Sequence, residues 1–215
     1  MHNMKVQSFT FNPFQENTYI IYDETKECLI IDPGCHTKKE ENILQDFITN
    51  HSLNPVKLIN THCHIDHILG NKFVSDMWNI ELYMHKADIP LLENAKSISA
   101  LYGFNNYKLS PSPKHYLEDG DILKFGKNYF EVIYTPGHAP GHICLYNQEN
   151  KLLIAGDVIF QTSIGRTDLP GGDYNTLMTS IKTKLLPLPK KTKIFCGHGP
   201  STILEYEKQN NPFLN

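Results

Sequence analysis

The sequence predicts an α+β fold of four layers, an αββα sandwich with two β-sheets face to face and helices outside. Two observations carry this. Short strand patterns followed by a helical pattern occur in the first half of the chain and again in the second, an order that buries sheets and leaves helices on the outer faces. No linker, short-period repeat or low-complexity stretch divides the halves, so one domain over residues 1–215 is expected.

Val6 to Thr10, Thr18 to Asp23 and Glu27 to Asp32 read as strands rich in Ile, Tyr, Phe and Val, with turns at Asn12-Pro13 and Asp23 to Lys26. Asp32-Pro33-Gly34 stops the third. A helix follows from His36 to Asn50, with Ile43, Leu44, Phe47 and Ile48 on one face. Val56 to Thr61 is a buried strand, Ile68 to Trp78 a helix and Ile80 to Met84 a strand. Residues 86–116 hold one or two short helices before Ser110-Pro111-Ser112-Pro113. Beyond them Asp121 to Phe125, Asn128 to Thr135, Ile143 to Asn147 and Lys151 to Ala155 are spaced like hairpins. A loop rich in Gly and Pro runs from Gln161 to Asp173. Leu177, Met178, Ile181 and Leu185 mark one face of the next helix, and Lys193 to Cys196 is a last strand. Ser201 is placed as the cap of a final helix to Lys208.

Composition narrows the function classes. The chain has 215 residues, 40% hydrophobic and 20% charged, which suits an ordinary globular core. A net charge of -3 without a basic stretch gives no purchase on nucleic acid or anionic membrane. No apolar run approaches the roughly 18 residues that cross a bilayer. The N-terminus, Met1-His2-Asn3-Met4-Lys5-Val6, enters a strand pattern with no apolar signal core. The five cysteines are scattered, and no Cys-x-x-Cys pair occurs. A reducing, cytoplasmic setting is expected.

Eleven histidines are many for this length. Three of them, with a carboxylate, fall within Thr61-His62-Cys63-His64-Ile65-Asp66-His67 at the end of an apolar strand. Imidazole and carboxylate together suit zinc, iron and similar divalent ions. His62 and His64, two apart at a strand end, project to the same side, and the following turn can return Asp66 and His67 toward them. Three further strand patterns end in a donor: Tyr134-Thr135-Pro136-Gly137-His138, Ala155-Gly156-Asp157 and Cys196-Gly197-His198. Function gathers on loops at one end of a rigid scaffold. Cys63 points away by strand alternation and is read as packed, and His142 as supporting, not ligating. Tyr19 and Tyr174 are possible cleft residues.

Thr61-His62-Cys63-His64-Ile65-Asp66-His67 resembles the His-x-His-x-Asp-His signature of the metallo-β-lactamase superfamily, and His138, Asp157 and His198 match its later ligand positions in order. The resemblance implies the αββα sandwich of that superfamily. It also implies a pair of divalent metal ions, zinc first, with iron or manganese as alternatives. One ion would be held by His62, His64 and His138 and the other by Asp66, His67 and His198, with Asp157 bridging; Asp66 and Asp157 are also taken as catalytic. It is closest in kind to the glyoxalase II-like hydrolases, hydroxyacylglutathione hydrolase and its relatives. That likeness runs from Pro13-Phe14-Gln15-Glu16-Asn17-Thr18-Tyr19 through Ile31-Asp32-Pro33-Gly34, Gly156-Asp157-Val158-Ile159-Phe160 and Ile164-Gly165-Arg166-Thr167-Asp168. It continues to Gly197-His198-Gly199-Pro200 and Asn211-Pro212-Phe213-Leu214. Two departures stand out. The commonest dizinc β-lactamases have a cysteine where this chain has Asp157. Full-length hydroxyacylglutathione hydrolases add a C-terminal helical domain, and its absence is expected here.

Thioester hydrolysis follows as the expected activity, on a substrate such as S-lactoylglutathione. A metal-bridged hydroxide attacks the carbonyl, and a thiol of pKa roughly 8–9 leaves as thiolate without a general acid. Arg166, in the Gly-rich loop, is the candidate for a substrate carboxylate; its alternative is an ion pair with Asp168. The rival expectation is a persulfide dioxygenase of the same fold, with one iron on His62, His138 and Asp157.

Overall fold

The structure is a computed structural model that describes residues 4–214; Met1, His2 and Asn3, read above as leading into the first strand, lie outside the described residues. The first half forms a six-stranded sheet in chain order: β1 (Lys5–Phe11), β2 (Glu16–Tyr22), β3 (Glu27–Ile31), β4 (Asn54–Ile59), β5 (Leu82–Met84) and β6 (His115–Tyr116). β1 to β3 are antiparallel and β3 to β6 parallel. Parallel neighbours need long crossovers, supplied by α1 (Lys38–Asn50), by α2 (Ile65–Ile68) with α3 (Asn71–Trp78), and by α4 (Ile89–Leu101). The second half contributes β7 (Ile122–Phe125), β8 (Asn128–Tyr134), β9 (Ile143–Asn147) and β10 (Leu152–Gly156). After the small hairpin of β11 (Ile159–Phe160) and β12 (Ser163–Ile164) come α5 (Tyr174–Ser180), β13 (Lys193–Cys196), β14 (Thr202–Ile203) and α6 (Leu204–Asn210). This sheet has the order β14-β13-β10-β9-β8-β7, and only β10 and β13 pair in parallel.

Strand alternation explains the four layers. In β2, Ile20 packs outward under the helices while Tyr19 and Ile21 face the second sheet. In β3, Cys28 and Ile30 go one way, Leu29 and Ile31 the other. β10 repeats the scheme, with Leu153 and Ala155 toward α5 and α6, and Leu152 and Ile154 between the sheets. A strand buried on both faces must be apolar throughout, which is why these segments read as continuous hydrophobic runs. The fold is the metallo-β-lactamase-type αββα sandwich that the sequence predicts.

Several boundaries differ from expectation for local reasons. α1 starts at Lys38, because Thr37 accepts the Glu40 amide and Glu40 reaches back, a full capping box. The helix expected from Ile68 to Trp78 is broken at Gly70, whose N–H donates to the Pro33 carbonyl at 2.7 Å. Residues 86–116 contain one four-turn helix, α4, behind a 3-10 turn at Lys86–Asp88. The Gly-rich loop begins at the turn of the β11–β12 hairpin and contains its second strand, and α5 closes in a π-helical turn, Ile181–Leu185. Ser201 caps nothing; the next residues pair with β13, and α6 begins only at Leu204. Among the described residues no helix is long and apolar enough to cross a membrane.

Candidate metal centre

The parallel strands β3, β4 and β5 run the same way, so their following loops emerge at one edge. Asp32 follows β3, Thr61 and His62 follow β4, and Asp88 follows β5. The loops after β10 and β13 meet the same edge with Asp157 and His198, and the turn after β8 brings His138. Two ligand-capable groups result, His62 with His64 and His138, and Asp66 with His67 and His198, the donor atoms of each lying within 4.8 Å of one another.

The detailed spacing fits metal ions. His138 Nε2 lies 2.9 Å from His64 Nδ1 and 3.3 Å from His62 Nε2. Zinc–nitrogen bonds of about 2.0–2.1 Å in a tetrahedron put ligand nitrogens roughly 3.3 Å apart. In the other group His198 Nε2 is 3.4 Å from His67 Nε2 and 3.2 Å from Asp66 Oδ2. Asp157 stands between them. Its Oδ2 is 3.5 Å from His138 Nε2 and 3.3 Å from His198 Nε2, and its Oδ1 is 3.5 Å from His67 Nε2. Asp157 Oδ1 is buried with no hydrogen-bond partner among the described residues. Such a group is costly unless something else coordinates it.

Four of the five imidazoles are fixed from behind. Thr61 Oγ1 holds His62 Nδ1 at 3.1 Å, and Asp32 Oδ2 holds His67 Nδ1 at 3.2 Å. His138 Nδ1–H donates to the Arg166 carbonyl at 2.7 Å, and His198 Nδ1–H to the Phe14 carbonyl at 3.0 Å. Each contact turns Nε2 toward the centre, the second layer that metal-binding histidines need. Asp32, His62 and His67 also lie close enough to hold an ion. The Asp32 carboxylate is already taken by the Thr61 amide at 2.7 Å and hydroxyl at 2.6 Å, so it serves as a brace. Glycine is required beside Asp157, since a Cβ at Gly197 would collide with Asp157 Oδ1 and one at Gly165 with its carbonyl oxygen.

The electrostatics divide the two groups. Burial, with neighbouring imidazoles, drives His62 far below its ordinary pKa and His64 to about 3, and burial also lowers His138. These three are neutral lone-pair donors at pH 7. Burial would lower His67 and His198 too, but Asp157 and Asp66 outweigh it, raising His67 well up and His198 to about 9. Burial opposes ionisation of Asp157, yet His67 and His198 hold its carboxyl well below the usual range. A cation bound beside Asp66, His67 and His198 would take the place of protons that this group already attracts.

Other expectations resolve individually. Cys63 is buried against Met84, its thiol 3.7 Å from the thioether, and burial pushes it well up. His142 is fully buried and no part of either group; its Nε2 accepts the Asp157 amide at 3.0 Å. Tyr19 lies between the sheets, its hydroxyl donating to the Cys196 carbonyl, and Tyr174 is exposed at the start of α5. The Arg166 guanidinium is engaged by Asp168 through Nε and Nη2, both at 2.7 Å. The supporting roles of Thr61, Asp32 and the Phe14 and Arg166 carbonyls went unread. Asp32 alone had a signal, an acid ending a buried strand.

A family model described as the metallo-beta-lactamase superfamily matches residues 11–198. The chain is 38% identical over 213 residues to hydroxyacylglutathione hydrolase GloC of Haemophilus influenzae, covering 99% of each. Among solved structures, the BLEG-1 B3 metallo-β-lactamase superposes with a TM-score of 0.90 at 36% identity, over 98% of this chain and 100% of that one. TTHA1623 in a di-iron-bound form gives 0.87 at 36%, over 97% and 100%.

Proposed function

This chain belongs to the metallo-β-lactamase superfamily and is a metal-dependent hydrolase, and from that premise we propose a thioesterase of the hydroxyacylglutathione hydrolase type. The observation that carries the reading is Asp157, a buried carboxylate whose Oδ1 has no hydrogen-bond partner among the described residues and whose oxygens lie within 3.5 Å of donors from both ligand groups. Its position suits a bridge between two ions, with zinc as the first expectation and iron or manganese as alternatives. His62, His64 and His138 would hold one ion, Asp66, His67 and His198 the other. When bound, such a pair supplies a hydroxide near neutral pH, because coordination lowers the pKa of water to roughly 7, and an electrophile for the carbonyl oxygen.

The remaining work falls to the chain. Asp66 and Asp157 would orient a water at the centre by accepting its hydrogen bond. Thr61, Asp32 and the carbonyls of Phe14 and Arg166 hold the imidazoles at fixed tautomers. Arg166 offers its guanidinium to an anionic part of the substrate, in exchange for Asp168. The thiolate leaves without protonation, so the step needs no general acid. The likeness to GloC over nearly the whole chain supports a glutathione thioester as substrate.

The likeness to BLEG-1 favours a second reading, opening of a β-lactam ring. That reaction expels a nitrogen that must be protonated, which ranks it behind the thioester. The test is direct: purify the protein, count its metals, and assay S-lactoylglutathione, a β-lactam, and oxygen uptake with glutathione persulfide. Two metals with thioester turnover are expected. One iron with rapid oxygen uptake would overturn the reading in favour of a dioxygenase, and β-lactam turnover alone would overturn the substrate.

A further inference from the structure

Asp88 stands outside both ligand groups, yet it touches the loops that carry one of them. It ends the 3-10 turn after β5 and opens α4, and it is 1% exposed. Its two oxygens take one backbone amide each. Oδ2 accepts the N–H of Cys63, the residue between His62 and His64, at 2.8 Å. Oδ1 accepts the N–H of Gly141, three residues beyond His138, at 2.5 Å. A single planar group therefore spans the loop from the first sheet and the loop from the second.

Two independent features show that this contact is built. Gly141 has no positive φ to explain it, but a Cβ there would lie 2.6 Å from the Asp88 amide nitrogen and 2.8 Å from its carboxyl carbon. Glycine admits the close approach. Second, both hydrogen-bond partners of the carboxylate are neutral amides. A buried carboxylate without a cation carries a desolvation cost, visible here as a carboxyl pushed up by burial to about 6. An apolar side chain would avoid that cost but leave the N–H groups of Cys63 and Gly141, both buried residues, unpaired, so the carboxylate is matched to the two loop amides it joins.

We propose that Asp88 is a positioning residue that sets the separation of the His62–His64 loop from the His138 loop, and so the metal affinity of the three-histidine group. This rests on the ligand assignment proposed above. It makes a selective claim, because among the described residues Asp88 has no direct hydrogen bond to Asp66, His67 or His198 and holds the amides of Cys63 and Gly141.

Asp88→Asn tests it, since the amide keeps the shape but turns an N–H donor against one of the two backbone amides. Zinc affinity is measured by chelator competition on the full chain in two backgrounds, and cobalt absorption reports ligand geometry. With His198→Ala, which leaves the three-histidine group, Asp88→Asn should weaken zinc about 10- to 100-fold and alter the cobalt spectrum. With His64→Ala, which leaves Asp66, His67 and His198, the change should stay within about twofold. Gly141→Ala presses on the same carboxylate from the other side and should repeat the pattern, which covers a failure of Asp88→Asn to fold. Equal losses in both backgrounds, or none in either, would overturn the proposal. Zinc binding in neither background would overturn the ligand assignment and the clamp with it. A parent protein that binds zinc but turns over no thioester overturns only the substrate reading.

Discussion

At the scale of single residues, the candidate centre is a set of donors whose protonation is set by burial and by one another. His62, His64 and His138 are stripped of protons by desolvation, whereas His67 and His198 are drawn toward the charged form by Asp66 and Asp157. Arg166 illustrates a different balance. Its bidentate pair with Asp168 joins two side chains that are 60% and 67% exposed, and such surface pairs contribute little because solvent screens them. A substrate carboxylate can displace Asp168 at small cost. Asp168→Asn should therefore lower KM for an anionic thioester by about two- to fivefold with kcat unchanged, and Arg166→Ala should raise it. Steady-state kinetics on both variants decide the matter; a KM indifferent to both would remove Arg166 from substrate binding. The alternative weighed from sequence, a pair with Asp168, is what the side chains make, while the Arg166 carbonyl supports His138.

At the scale of elements, the loops are held by contacts remote in sequence. Glu207 on α6 is wholly buried and accepts the Thr162 amide at 2.9 Å, the Asn211 side chain at 2.9 Å and the Thr202 hydroxyl at 2.5 Å. Asn211 in turn donates to the Ser163 carbonyl. The C-terminal helix thus anchors the β11–β12 hairpin, from which the chain runs directly to Gly165 and Arg166. Removing the carboxylate leaves buried donors unpaired, so Glu207→Ala should cost about 3 kcal/mol. Urea unfolding measures this, and a loss below about 0.5 kcal/mol, the usual surface effect, would show that the network bears little. Helix periodicity revealed the faces of α1 and α5, because it depends only on local spacing, although Ile43, expected on the apolar face of α1, lies at its margin and is exposed. The start of α6 was hidden, because Thr202 and Ile203 are claimed by pairing with β13, a partner supplied by tertiary structure.

At the scale of the molecule, the two sheets are joined at both ends. Away from the centre, Asp23 in the β2–β3 turn accepts the Lys127 amide of the β7–β8 turn at 2.7 Å and the side chain of Asn128, at the start of β8, at 2.8 Å. Burial works against its charge, but hydrogen bonds from Thr25, Lys127 and Asn128 outweigh it and hold the carboxyl below its usual value. A lowered folded-state pKa stabilises above the unfolded value near 4, and that contribution fades as pH falls through the folded value. Asp23→Asn should thus be less stable than the parent at pH 7, by about 2 kcal/mol, and the gap should narrow below pH 4 in denaturant titrations. A gap independent of pH would point to packing instead. At the other end the metals themselves should clamp the sheets, since the proposed ligands come from both. Chelation should lower the melting temperature and readdition of zinc restore it, because an ion that binds only the folded chain stabilises it by mass action; an unchanged melting point would detach the ions from the fold. The sequence by itself determined the fold class, the apolar runs of the buried strands, and the donors grouped around His62, since these depend on short-range periodicity and on residue chemistry. Only the tertiary structure decided how those donors are held. The braces at Asp32, Asp88, Phe14 and Arg166 are contacts between backbone and side chain across different elements, and one-dimensional spacing carries no record of such proximity.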